Sequence, residues 1–165
     1  MVIMQLQKIP GGAMQEIIKK WLDWPQAWAG LALFAIWVVS LLPALIGFGG
    51  FGPGLALAFV GLGLWLMITA VLRMRRAGTT VNPRGQSQAL VTDSVFAISR
   101  NPIYLGDALI LLGAVMLVNE AFALPVVAGF VWVINDRFIP VEEERLADAF
   151  GDQAAEYFVQ VRRWI

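Results

Sequence analysis

The sequence predicts an all-α integral membrane protein with about four transmembrane helices, an N-terminal interfacial helix and a C-terminal amphipathic cytosolic helix. Three observations carry that expectation. The 165 residues are 59% hydrophobic with a mean hydropathy of +0.71, above the roughly half-apolar composition of ordinary soluble domains. The apolar residues gather into runs of up to about twenty, the length that crosses a ~30 Å hydrocarbon core at 1.5 Å per residue. Finally, all 12 Lys and Arg lie in the N-terminal segment, within 73–100 or after 136, while the opposite turns hold only Glu120. The positive-inside rule then puts both termini in the cytoplasm, as an even number of spans requires.

The elements follow in order. Residues 1–26 form an N-terminal segment in which Ile17, Ile18, Trp21 and Trp24 share one helical face, away from Glu16, Lys19, Lys20 and Asp23. This is either a short interfacial helix with Trp21, Trp24 and Trp28 at headgroup depth or the flank of the first span. Residues 1–10 lack the apolar core and cleavage site of a secretory signal. Residues 27–165 read as one domain. The first span covers about 27–46, with Pro43 placed to kink its far end, and an uncharged Gly-rich turn follows at 47–53.

The second span, about 54–72, carries Gly54 and Ala58 four apart, a spacing that lets helices approach closely. Gly61 and Gly63 form a GxG inside this span and read as packing rather than nucleotide binding. Arg73, Arg75 and Arg76 close it. The polar stretch 77–99, with Gly78, Pro83 and Gly85, is too long for an idle connector. Spans three and four, about 103–118 and 121–138, form a hairpin around Asn119 and Glu120. Pro140 is expected to start a new helix. Leu146, Ala149, Phe150, Gln153 and Tyr157 then recur at intervals of three and four, the pattern of an amphipathic helix outside the bilayer core.

Composition narrows the chemistry. There is no Cys and no His, which removes thiolates, the commonest general base and the commonest transition-metal ligand. No metal is therefore expected, and zero formal net charge argues against nucleic acid. Chemistry must run on Arg, Asp, Glu, Tyr, Asn, Ser or backbone, or on a reactive cofactor.

Two polar clusters stand out on the same expected face. The first is the octet Ser99–Gly106, where Pro102 rigidifies a turn that presents Arg100 and Asn101 ahead of Tyr104. Arg100 offers a planar fork for a carboxylate, and Asn101 offers both donor and acceptor. The second is Glu142, Glu143, Glu144 and Arg145. First-turn acids gain ~0.3–1 kcal/mol each from the helix dipole, and Glu142 with Arg145 suits a local pair. A helix start with an interfacial Arg and Tyr also accounts for the octet. Pairing of Arg100 with one of the acids is the reading that uses both clusters. Asp107 lies one turn into the third span. An acid at membrane depth is a functional hypothesis by default, unless it sits shallow enough to stay wet.

The string Thr92-x-Ser94-x-Phe96-x-x-Ser99-Arg100-Asn101-Pro102-Ile103-Tyr104-Leu105-Gly106, a helical hairpin, then Glu142-Glu143-x-x-Leu146-x-x-x-Phe150-Gly151 and Tyr157, resembles the isoprenylcysteine carboxyl methyltransferase family. Thr79-x-Val81-x-Pro83 and Ala89-Leu90-Val91-Thr92 are similar to its bacterial, phospholipid methyltransferase-like members. The resemblance covers roughly residues 75–163; Asn101 stands where the commonest family motif has His.

It implies S-adenosylmethionine as cofactor, held by regions 77–106 and 135–163, and a lipophilic or lipid acceptor arriving from the bilayer of a bacterial inner membrane. By position, Leu90, Val91 and Thr92 would line the cofactor entrance. Arg100, Asn101, Pro102, Tyr104, Leu105, Gly106, Glu142 and Glu143 would frame the pocket, with Arg100, Glu142 and Glu143 as catalytic candidates. Asp107 and Tyr157 would lie on the substrate side. An activated sulfonium methyl needs alignment and water exclusion more than a strong base; an amine acceptor must also lose a proton, to Glu142, Glu143 or Asp107. Two other readings stand beside this one: an NADPH-dependent membrane reductase and a non-catalytic membrane scaffold.

Overall fold

The computed structural model describes residues 21–43, 46–80, 85 and 88–165. Most of the expected interfacial helix, and Val81 and Pro83 of the upstream motif, lie outside the described residues. Within them, regular structure is helical: α1 Pro25–Ser40, α2 Gly52–Arg76, α3 Pro102–Val118, α4 Leu124–Val133, α5 Ile139–Phe150 and α6 Asp152–Gln160. Proline marks the first turn of each helix from α1 to α5, where its fixed φ and missing N–H cost nothing.

Helix α3 is the centre. On one side α2 runs against it at glycine contacts. A Cβ on Gly63 would lie 2.6 Å from the Gly106 carbonyl oxygen, and one on Gly113 would lie 3.0 Å from that of Ala56. On the other side Tyr104, Ala108, Leu111 and Val115 form a core with Ala32 and Ile36 of α1 and Val127 and Phe130 of α4. A second core joins Leu105 to Leu66, Ala70, Val95 and Phe96, and Trp164 packs against both. At the far end Asn119 takes the left-handed conformation that Asn tolerates. Its Oδ1 accepts from the Phe48 N–H at 2.7 Å, tying the α1–α2 connection to the α3–α4 turn.

Several boundaries differ from the sequence expectation. Helix α1 stops at Ser40, so Pro43 lies beyond it and kinks nothing. The close approach expected at Gly54 is absent, since a Cβ there meets nothing within 4 Å; the crossing uses Gly63, Gly106 and Gly113. Pro140 stands in the first turn of α5, as expected, but no break separates that helix from α4. The chain stays helical from Ala121 to Phe150 through a π turn at Ile134–Phe138. The Pro140 ring opposes the carbonyl four residues back, at Asp136, and the wider π turn sits at that point. The amphipathic stretch instead divides at Gly151, whose φ of 52° suits glycine alone among common residues.

Among the described residues, two helical stretches are long and apolar enough to cross a membrane, Gly49–Arg76 with 28 residues and Ala121–Phe150 with 30. Helices α1 and α3 are apolar but shorter. Only 22% and 33% of the two long apolar windows is buried, and Phe34, Trp37, Leu57, Trp65, Ile68, Leu117 and Trp132 point outward. A 30-residue helix is ~45 Å long, well beyond a ~30 Å hydrocarbon thickness, so its acidic end around Glu142 projects past the apolar part.

Candidate functional site

A cavity of about 280 Å³ opens where α2, the segment before α3, the start of α3 and helices α5 and α6 converge. Its apolar wall includes Met67, Val71 and Met74 of α2 with Leu90, Val91 and Phe96; its polar side includes Arg100, Asn101, Tyr104, Glu142 and Arg145.

The octet is fastened from behind by the C-terminal tail. Ser99 is fully buried. Its Oγ accepts from the Asn101 N–H at 3.1 Å and donates to the Arg163 carbonyl at 3.0 Å. Asn101 Nδ2 donates to the same carbonyl at 2.9 Å, and the Arg100 N–H donates to that of Arg162 at 3.0 Å. With the turn held this way, the Arg100 guanidinium stacks over Phe158, 4.6 Å from the ring centroid, a cation–π contact. Its Nη2 lies 3.1 Å from Glu143 Oε1. Its Nε is buried without a hydrogen-bond partner among the described residues, a costly state for a charged group, and Arg100 lines the cavity.

Glu143 is gripped by a second guanidinium. Arg163 Nε donates to Oε1 at 2.9 Å and Nη2 to Oε2 at 2.6 Å, a bidentate fork, and the carboxylate raises the Arg163 pKa. Arg163 Nη1 reaches Asn135 Oδ1 at 3.4 Å, within the π turn. Glu142 points into the cavity, and Tyr104 Oη donates to its Oε1. Burial pushes the Glu142 carboxyl up to about 7; the Tyr104 hydrogen bond and Arg145 oppose that rise, and Glu143 adds to it. Tyr157 Oη donates to the Phe96 carbonyl at 2.7 Å, and burial pushes that phenol up to about 12 against the opposing pull of Arg100.

Of the residues singled out in the sequence, Leu90, Val91, Arg100, Asn101, Pro102, Tyr104, Glu142 and Tyr157 line the cavity. Thr92 is exposed outside it. Leu105 and Gly106 pack against α2. Asp107 is buried one turn deeper, with Oδ2 unpartnered among the described residues. Glu143 stands behind Arg100. Sequence reasoning missed Gln26 and Met74 in the lining, named Phe96 and Arg145 only within their motifs, and gave Arg163 no part in the site. Met67, Val71 and Met74 recur at intervals of four and three, a readable face; Gln26 and Arg163 carry no local signal.

A profile of the phospholipid methyltransferase family matches residues 53–153, which takes in α2, α3, α4, α5 and the octet. A protein-S-isoprenylcysteine O-methyltransferase of Schizosaccharomyces pombe is 29% identical over 104 residues, 62% of this chain. The match spans 44% of that protein, less than half its length. No solved structure matches the chain significantly. With more than half of its residues under the family profile, the chain belongs to the phospholipid methyltransferase family.

Proposed function

We propose that the chain is an integral membrane methyltransferase that uses S-adenosylmethionine and transfers a methyl group to a lipophilic or lipid-borne acceptor entering from the bilayer. The observation that carries this is the Arg100 guanidinium on the cavity wall, its buried Nε without a partner among the described residues, in an apolar-walled cavity that the Glu142 carboxyl also lines. The donor set fits the cofactor. A guanidinium suits an amino acid carboxylate, and Asn101 and Glu142 suit polar groups of the ribose and amine. Leu90, Val91, Phe96 and Met74 suit a flat base. Catalytic roles fall to Arg100 and Glu142 at the cavity, and Glu143 is the positioning residue that holds Arg100.

When bound, the cofactor supplies a sulfonium methyl group already activated for transfer. The chain's own tasks are alignment and exclusion of water. The Tyr104–Glu142 pair and Arg100 fix the polar side of the cavity. An amine acceptor loses its proton to Glu142, or to Asp107 one turn deeper; a carboxylate or thiolate acceptor needs no base. Tyr157 closes the acceptor side while bound to Phe96. The outward apolar side chains support four spans: α1, α2, α3 and the segment 121–138. The basic residues support cytoplasmic termini, and the motif resemblance to bacterial members supports a bacterial inner membrane.

The test is thermal unfolding in lipid nanodiscs with S-adenosylmethionine, S-adenosylhomocysteine or NADPH. A ligand at 100 times its Kd stabilises by ~2.7 kcal/mol. Stabilisation by the two adenosyl compounds, reduced but still measurable in Arg100→Ala, is expected. Stabilisation by NADPH alone would favour a reductase. No shift with any of the three would leave a scaffold as the better account.

A further inference from the structure

We propose that Arg163 is a positioning residue for the methyl-donor site, an inference that rests on the function just given. Arg163 does not line the cavity and its side chain is 35% exposed, so by position it reads as a surface charge at the end of the chain. Its contacts say otherwise. The guanidinium fork takes both oxygens of Glu143, at 2.9 and 2.6 Å, and so fixes the plane of that carboxylate. The Oε1 oxygen thus oriented is the one that holds Arg100 Nη2 at 3.1 Å.

Arg100 is the cavity residue whose Nε is buried without a partner among the described residues. Its direction depends on two restraints, the Phe158 ring beneath it and Glu143 beside it. A carboxylate free to rotate would release one of them. Arg163 also reaches Asn135 Oδ1 at 3.4 Å, so the π turn in the long helix bears on the same group. The residue therefore works at two levels. Its carbonyl accepts from Ser99 and Asn101 and sets the octet's backbone, while its side chain sets Arg100 through Glu143. Substitution of the side chain leaves the carbonyl in place, which separates the two.

The experiment uses the full chain in lipid nanodiscs with S-adenosylhomocysteine as probe, its Kd measured by calorimetry, and unfolding followed without ligand. Arg163→Ala is expected to weaken binding about tenfold, the scale of coupling between residues in one network. Arg163→Lys keeps the charge without the fork and is expected to recover only part of the loss. In an Arg100→Ala background, Arg163→Ala is expected to cost nothing further, because its effect passes through Arg100. Wild-type affinity in Arg163→Ala overturns the proposal, as does an equal loss with and without Arg100. If Arg163→Ala does not fold, Arg163→Lys carries the same comparison in both backgrounds. Failure of the wild-type chain to bind the probe overturns the methyltransferase reading and this inference with it, whereas wild-type binding that ignores Arg163 overturns this inference alone.

Discussion

Gly63→Ala should loosen the α2–α3 crossing, and Gly61→Ala, two residues away on the same helix, should not. The added Cβ at Gly63 would lie 2.6 Å from the Gly106 carbonyl oxygen and 2.9 Å from Ile110 Cγ1. Ordinary contact begins at 3.4 Å, so at the tightest point the helices must part by 3.4 − 2.6 = 0.8 Å. The obstacle is a helical carbonyl that cannot rotate aside. Overpacking of this kind costs ~1–3 kcal/mol. Alanine gains about 1 kcal/mol over glycine in a helix interior, but that gain is common to both variants and cancels when they are compared. At Gly61 the new Cβ meets nothing within 4 Å. With ~2–4 °C per kcal/mol for a chain of this size, Gly63→Ala should melt roughly 2–12 °C below Gly61→Ala in nanodiscs. The same displacement carries Met67, Val71 and Met74 away from the cavity wall, so S-adenosylhomocysteine should bind Gly63→Ala more weakly and Gly61→Ala as it binds the wild type. A Gly63→Ala protein that melts at or above Gly61→Ala would refute the glycine crossing.

Two further outcomes follow from the site. Glu142 has its folded pKa raised by burial from 4.5 to about 7. Between those values the native state holds a proton that the unfolded chain has released, so the stability contribution is complete below about pH 4.5 and lost as pH rises through 7. The groups facing it are Tyr104, Arg145 and Glu143. Melting temperature should fall across that window, and Glu142→Gln should flatten the fall; an unchanged pH profile in the variant would assign the slope to another group. Tyr157→Phe removes the donor to the Phe96 carbonyl and leaves a buried acceptor unpaired, at ~1–3 kcal/mol. Chemical unfolding should show that loss together with faster proteolysis around the Ser94–Ala97 turn, and equal stability would mean that the carbonyl finds another partner.

The outline of the fold was legible because its signals are local. Apolar runs, proline in the first turn, and Asn119 at a tight turn each depend on a few adjacent residues. The octet and the acids at Glu142 and Glu143 were legible as two clusters for the same reason. Small residues in α2 marked a helix that could be approached closely, but Gly54, Gly61 and Gly63 look alike along the chain. Only the crossing with α3 selects Gly63. The π turn before Pro140 was equally invisible, since a proline in an apolar run serves a helix start as readily as a widened turn.

By itself, then, the sequence determined the helical architecture and the residue types available for chemistry, because hydropathy and backbone restriction act over a turn or two. The tertiary structure alone decided which charges meet. Glu142 and Glu143 are neighbours, yet Glu142 faces the cavity and pairs with Tyr104, while Glu143 turns between Arg100 and Arg163. Successive residues on a helix point about 100° apart, so adjacent acids must take different partners. Which partners they take depends on where the tail after α6 returns to the octet, sixty residues away in the chain and in hydrogen-bond contact in space.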